Sequence, residues 1–309
     1  MANKFILSVY KEYLYYRNKL LCKINPKLAA NIVYKKVTGR NINWDNPQDL
    51  VEKIAWLELN TDTSLWTSCS DKYKVREFIQ KRGCENTLVK LYGAWKDPYE
   101  IDFNKLPKKF VLKANNGCGT VMIVKDKDKL NIKQTRKKLK SWIKRPYGYA
   151  SAQLHYLKIE PYIIAEELLI QDETFNKISP NSMVDYKVWC INGEPEAILI
   201  TFDRRKESLK LKLYSTEWED ISHHIVYGGH YPAIGNMQIP KPACLESMLA
   251  YAKKLSQGFP EVRVDFYIVD NTPKFGELTF STGFGYFTAE FYKYLGSKID
   301  LTEYKQTCK

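Results

Sequence analysis

Near the N-terminus, apolar and aromatic positions recur every three to four residues, with Val9, Tyr13 and Tyr16 beside Tyr10, Leu14 and Arg17, which predicts a helix. A further helix opens at Pro47 and runs to Leu59, and another spans Asp71 to Arg82 with Val75, Phe78 and Ile79 on one face. After Gly83 the pattern changes to strands and hairpins, interrupted by one basic helix over Asn131 to Lys144. Beyond about residue 172, long paired strands dominate, with a helix at Ala243 to Ser256. No internal repeat or low-complexity linker divides the chain. The fold class is therefore α+β, in three parts: a helical region over 1–70, a mixed unit over 71–172 and a strand-rich unit over 173–309.

Two hairpins in this pattern carry chemistry. In the first, the strand KKFVLK ends at Lys113 and runs into Ala114, Asn115, Asn116, Gly117, Cys118, Gly119 and Thr120 before a second strand, VMIV. Glycines let successive N–H groups turn toward a phosphate while Lys113 supplies charge from the adjoining strand. A Walker loop has its lysine after the glycines and a helix following, so this is not one. The same residues also suit a plain hairpin turn.

In the second hairpin, Val262, Val264, Phe266 and Ile268 alternate with Arg263, Asp265 and Tyr267. Asp270, Asn271, Thr272 and Pro273 turn the chain, and the returning strand puts Glu277, Thr279 and Ser281 on one face. Asp265 and Glu277 are thereby expected on one surface. Two carboxylates at about 5 Å repel, which a cation between them would offset. Oxygen ligands of this kind suit magnesium shared with substrate phosphates. On repulsion alone, Glu277→Gln is expected to stabilise the metal-free chain. The other reading of the pair is a solvated outer face.

Composition narrows the setting. With 44% hydrophobic and 14% aromatic residues among 309, the chain can bury a large core. No apolar run reaches the length of a signal-peptide core or a membrane span. Seven cysteines, none spaced as CxxC, write neither a disulfide framework nor a zinc knuckle, and a reducing cytosol fits them best. A formal charge of +13 points to an anionic partner. The densest run, Lys125 to Arg145, holds ten Lys or Arg against Asp126 and Asp128, which suits a solvated helix on a mobile element. No RNA-binding aromatic motif or zinc-finger spacing accompanies it, so nothing else in the sequence points to nucleic acid. The basic aromatic helix, with Lys4, Lys11, Arg17, Lys19 and Lys23 beside Phe5, Tyr13 and Tyr16, either packs on its own domain or lies on an anionic bilayer. His155, His223, His224 and His230 show no metal spacing and receive no role.

Five strings in order complete the picture: DKYKVREFI (71–79), KKFVLKANNGCG (108–119), IIAEELL (163–169), DYKVWCING (185–193), and VRVDFY with FGELTFSTGFG (262–267, 275–285). Together they resemble the TupA-like, teichuronopeptide-biosynthesis family of ATP-grasp enzymes, from about residue 45 to the C-terminus. The resemblance implies an ATP-grasp fold with a helical N-terminal region, a mobile lid and a C-terminal sheet subdomain. ATP and Mg²⁺ are the implied cofactors. Lys72 would reach the α-phosphate, and Lys113 the phosphates beneath the loop of Asn116, Gly117, Cys118 and Gly119. Glu166, Glu167 and Leu169 resemble the hinge that meets the adenine edge, and Glu173 falls where a carboxylate holds the ribose. Lys187 would approach the γ-phosphate and Arg263 the reaction's oxyanion, with Asp265 and Glu277 as magnesium ligands. Thr279 stands where these ligases usually carry an asparagine ligand, and a hydroxyl is the weaker donor. A second departure is the short helical N-terminus in place of the usual first domain.

The implied reaction activates a carboxylate as an acyl phosphate and joins it to an amine, with a uronic acid or amino acid unit of cell-surface polysaccharide as the implied substrate. The implied location is the cytoplasm, with peripheral contact to membrane or polysaccharide machinery left open. Two rivals stand beside it: a phosphotransferase using the same ATP site on a sugar hydroxyl, and a basic binding module without turnover.

Overall fold

The computed structural model describes residues 2–282 and 284–307, with side chains for 9–10, 12–282 and 284–305. Lys4, Phe5 and Lys11 of the basic stripe, Gly283 of the last string and Cys308 thus lie outside the described residues or side chains.

Two antiparallel sheets organise the chain. Helices α1 (Ala2–Ile24), α2 (Pro26–Thr38), α3 (Leu50–Asn60), α4 (Ser64–Ser70) and α5 (Val75–Lys81) come first. Asp49 starts α3 through a full capping box, its side chain accepting from the N–H of Glu52 while Glu52 reaches back. Strands β1 (Leu91–Trp95), β2 (Phe110–Ala114), β3 (Val121–Val124) and β4 (Ile163–Glu166) form a four-stranded sheet in the order β1-β4-β2-β3. The basic helix α6 (Ile132–Ile143) packs on it, capped by the Asn131 side chain. After α7 (Glu173–Ile178), strands β5 (Asp185–Ile191), β6 (Glu194–Phe202), β7 (Lys210–Tyr214), β8 (Glu261–Val269) and β9 (Thr272–Thr279) form the second sheet in the order β7-β6-β5-β8-β9. Helix α8 (Leu245–Ser256) lies between β7 and β8 in sequence, and α9 (Ala289–Ser297) follows the sheet.

The four-stranded sheet has its own core, with Phe110, Leu112, Leu139 and Ile163 fully buried. A larger core fills the rest. It joins Leu50, Ile54, Leu57 and Trp66 of α3 and α4 to Trp189, Val264 and Leu278 of the second sheet. The boundary drawn at residue 70 therefore cuts through packed material, because the apolar faces of α3 and α4 find their partner in the strand-rich unit. Only α1 and α2 stand partly apart, meeting Tyr149 and Ala152 in a small separate cluster through Cys22 and Ala29.

The second sheet is covered on one face by α8, where Met248, Ala252 and Leu255 are buried. Residues of even number on β5 and β8, among them Val188, Cys190, Val262, Val264 and Phe266, supply the apolar side of the alternation. The opposite face bears Lys187, Arg263 and Asp265, also buried. The β8–β9 turn is tighter than the four residues expected. Asp270 and Asn271 alone form it, with φ of 48° and 53°, a geometry that short polar side chains tolerate and that matches strand twist. A bulge between Asp265 and Phe266 then shifts the register, so Phe275 pairs with Phe266 and Glu277 with Asp265.

One buried acid stands out at the start of β8. Glu261 is fully buried, and neither carboxylate oxygen has a hydrogen-bond partner among the described residues. Burial raises its pKa well above 4.5, with Arg263 only partly opposing. The folded chain thus keeps a proton that the unfolded chain loses, and stability falls as pH rises above 4.5. Glu261→Gln is expected to melt higher than the parent near pH 8, with the advantage shrinking toward pH 4. Thermal melts across that range check this, and a gap independent of pH would refute a protonated Glu261.

Candidate active site

Two adjacent rungs of the second sheet build the site. On one rung Lys187, Asp265 and Glu277 stand in register across β5, β8 and β9; on the next, Trp189, Arg263 and Thr279 do. All six side chains share the face away from α8, because positions two apart on a strand point the same way. The DYKVW and VRVDFY strings are thus the two strands that place the charges.

Asp265 is held by cations from two sides. Lys187 Nζ donates to its Oδ2, while Arg263 Nε donates to Oδ1 at 2.6 Å and Arg263 Nη2 to Oδ2 at 2.7 Å. The same Nη2 lies 3.1 Å from Thr279 Oγ1 and 3.5 Å from Glu277 Oε1, and the guanidinium sits 5.3 Å from the Trp189 ring centre. Lys187 Nζ also pairs with Asp185 at 2.7 Å. The Arg263 guanidinium thus lies between the two carboxylates. Burial alone would lower the Lys187 pKa, but Asp185 and Asp265 outweigh it and hold the lysine charged. Asp185 is raised, with burial the largest cause and Lys187 opposing.

Glu277 behaves differently. Its side chain is 30% exposed, against 3% for Asp265. Burial would raise its pKa, yet Lys72, Lys187 and Arg263 outweigh that and bring it down to about 2. Lys72 Nζ lies 3.1 Å from Glu277 Oε2 and donates to the carbonyl of Gly117 at 2.8 Å. One lysine thereby links the glycine loop to the carboxylate hairpin. The repulsion expected between Asp265 and Glu277 is overridden, because three cations surround Glu277.

The glycine loop is braced from beneath. Asn115 Nδ2 donates to Asp71 Oδ1 at 2.8 Å and to the Glu160 carbonyl at 2.9 Å, while its Oδ1 accepts from the Tyr162 N–H. The Lys72 N–H donates to the Asn115 carbonyl. Asp71 also caps its own turn by accepting from Tyr73 and Lys74, so helix α5 begins later than the periodicity suggests. Asn116 is buried, whereas Cys118 and Gly119 are exposed at the tip. Gly119 has φ of 76°, and a Cβ at Gly117 would strike the Tyr147 ring at 2.9 Å, so both positions require glycine.

A cavity of about 600 Å³ opens between the two sheets. Lys113, Val121 and Ile123 come from the first, Lys125 from just beyond β3, and Tyr267 and Phe275 from the second, with Glu167, Leu168 and Leu169 joining the two. Val121 and Ile123 are about half exposed, an apolar surface that a flat ring would cover. A second cavity of about 980 Å³ lies on the other side of the charged rungs, reaching Arg263, Glu277 and Thr279 from the direction of α1 and α2.

Most residues singled out in the sequence converge here. Glu166 stands with Lys72, Lys113 and Phe275 around a small cleft beside the larger cavity, its Oε2 2.7 Å from Lys113 Nζ and its Oε1 3.5 Å from Arg76. Glu173 is exposed on the first turn of α7, outside the cavity lining. Sequence reasoning also missed several participants. Asp185 lies two residues before Lys187 on the same strand face, a signal the alternation contained. Arg204 lines the cavity between the sheets without any motif to mark it, and Tyr267, though inside the VRVDFY string, received no role.

Among the described residues no cluster of three or more His, Cys, Asp or Glu could cage a metal. Glu277, Asp265 and Thr279 offer oxygens of the kind magnesium takes, but Lys187 and Arg263 engage both Asp265 oxygens here, which leaves Glu277, 30% exposed, as the accessible carboxylate.

Comparison with known proteins adds three findings on structure. The D-alanine–D-alanine ligase of Bacillus anthracis, complexed with ATP, aligns with a TM-score of 0.44 and 15% identity over 78% of this chain and 67% of that one. The ATP-grasp ligase PsnB complexed with its minimal precursor gives 0.41 and 13% over 80% and 65%. An ADP complex of purK, N5-carboxyaminoimidazole ribonucleotide synthetase, gives 0.45 and 14% over 74% and 50%. The chain therefore spans between half and about two thirds of the length of these structures. No curated protein sequence matches it. The sequence model of the TupA-like ATP-grasp proteins matches residues 52–300, and the chain belongs to that family.

Proposed function

We propose that this protein is an ATP- and magnesium-dependent ligase that joins a carboxylate to an amine through an acyl phosphate, acting on a uronic acid or amino acid unit of a cell-surface polysaccharide. The single observation that carries this reading is the convergence of Lys72, Lys187, Arg263, Asp265 and Glu277 in one charged network, of which Arg263 and Glu277 line one cavity while their strand neighbours Tyr267 and Phe275 line another with apolar walls. Family membership supports the nucleotide chemistry.

In this reading adenine lies between Val121 and Ile123 on one side and Phe275 on the other, with the Glu167–Leu169 segment along its edge. Lys113 and Lys72 neutralise phosphate oxygens, each exchanging a carboxylate partner for the nucleotide. Glu277, with Asp265 and Thr279, would hold magnesium, which supplies charge neutralisation to phosphoryl transfer. A substrate carboxylate attacks the γ-phosphorus, and the acyl phosphate and ADP form. An amine then adds to the acyl carbon, the Arg263 guanidinium stabilises the oxyanion, and inorganic phosphate leaves. The density of positive charge suits an acidic sugar.

A screen of carboxylate and amine pairs for release of both ADP and inorganic phosphate tests this. Equal amounts of each, with an amide product, are expected. Phosphate retained on an organic product would identify a phosphotransferase instead. Lys113→Ala is expected to weaken ATP binding by about ten- to a hundred-fold, from the loss of charge-assisted contacts worth about 1.5–3 kcal/mol. Unchanged affinity by calorimetry would remove the loop from the site.

A further inference from the structure

Helix α1 is apolar on two faces, and the body of the protein uses only one. Its inner side is fixed: Arg145 clasps Glu12 at 2.8 and 2.7 Å, Tyr15 meets the Tyr149 ring edge-on, and Cys22 is buried. Leu14 and Leu21 line the larger cavity from this side. Val9, Tyr13, Tyr16, Leu20 and Ile24, spaced four, three, four and four residues apart, form a separate stripe. Each is more than half exposed, Ile24 to 73%. A structural aromatic stripe would be covered by its own domain, and this one is not.

The charge around the stripe is one-sided. Residues 1–40 contain nine Lys or Arg and a single acid, Glu12, which Arg145 already neutralises. Lys23 and Lys27 are exposed beside the end of the stripe. A two-fold contact with a second copy would bring these like charges together, whereas an anionic surface would satisfy them. Among the described residues no helix is long and apolar enough to cross a membrane, so the helix would lie along an interface.

We propose that the outer face of α1 docks on an anionic phospholipid bilayer, with Tyr13, Tyr16 and Leu20 entering the headgroup boundary and the lysines meeting lipid phosphates. The opposite face of the same helix walls the cavity that reaches Arg263 and Glu277. An acceptor carried at the bilayer surface would therefore meet the site across the thickness of one helix. Docking does not depend on the ligase reading, whereas this delivery of an acceptor rests on it.

The test is co-sedimentation of the full chain with vesicles of phosphatidylglycerol and phosphatidylcholine, against phosphatidylcholine alone. The protein is expected to bind the anionic vesicles, and Tyr13→Ser/Tyr16→Ser/Leu20→Ser to bind them about ten-fold less or weaker still, with an unchanged melting temperature. These positions are exposed and lie outside the charged rungs, so folding and ADP release with soluble substrates should persist. Failure to bind anionic vesicles would overturn docking. Equal binding by parent and triple variant would also overturn it, by assigning the effect to overall charge. So would a parent that is dimeric and a variant that is monomeric with neither binding vesicles, since the stripe would then join two copies. Vesicle binding without ADP release from any substrate pair would leave docking standing and defeat the ligase reading.

Discussion

Glu277→Gln is expected to abolish ADP production while also destabilising the nucleotide-free protein. The first effect follows from position. Glu277 is the carboxylate of the hairpin that is open to the cleft, and it stands beside Lys72 and within reach of Arg263. Removing its charge takes away an oxygen ligand suited to magnesium, and several kcal/mol of charge stabilisation in phosphoryl transfer corresponds to a loss on the order of a thousand-fold. The second effect reverses what alternation alone suggests. Two carboxylates on one face should repel, so neutralising one should help. Here Arg263 lies between them and Lys72, Lys187 and Arg263 together depress the Glu277 pKa to about 2, so the charge is favoured in the folded state. The amide leaves those cations with one partner fewer, at a cost of about 1 kcal/mol after allowing for partial exposure. A melting temperature below the parent's, together with lost turnover, is the expected pair of readouts. Near-normal ADP production would remove the hairpin from the mechanism.

That reversal marks where the sequence stops being legible. Strand alternation correctly puts Asp265 and Glu277 side by side, because side-chain direction has a period of two and a hairpin fixes the partner. The VMIV strand and the basic helix were likewise local properties, set by periodicity and by the Asn131 cap. Which charge pairs with which is not local. Lys72 meets Glu277 across 205 positions of sequence, and Lys113 meets Glu166 across 53. The Asn115 bracket that joins the DK turn to the glycine loop likewise depends on a buried amide with three partners. Periodicity has no means of reporting such closures. The bulge after Asp265 was hidden too, since Gly276 lets β9 shift register without a side chain to betray it. The packing of α3 and α4 was hidden for a related reason: they look like independent amphipathic helices until their faces meet the distant sheet.

Arg263 carries the heaviest combined load, and its removal is expected to damage stability and catalysis by separable routes. The guanidinium donates twice to buried Asp265, reaches Thr279 and Glu277, and packs near Trp189. Arg263→Ala leaves Asp265 with Lys187 as its remaining cation in a buried place, and breaking such a network by taking out one partner costs about 3–5 kcal/mol. Arg263→Lys keeps a charge but loses the planar fork that binds both oxygens, so it should recover only part of the stability. Catalysis should fall in both variants, because neither presents the same donors to an oxyanion. The double variant Arg263→Ala/Asp265→Ala separates the two effects. With both members of the pair gone, no carboxylate is stranded, and stability should return toward the parent's relative to Arg263→Ala alone. Turnover should stay lost. Denaturant melts of the parent, Arg263→Ala, Asp265→Ala and the double variant measure the coupling, and ADP release measures the chemistry. If the double variant is no more stable than Arg263→Ala, the buried pair is not what holds this face together, and if it regains turnover, Arg263 has no part in the reaction.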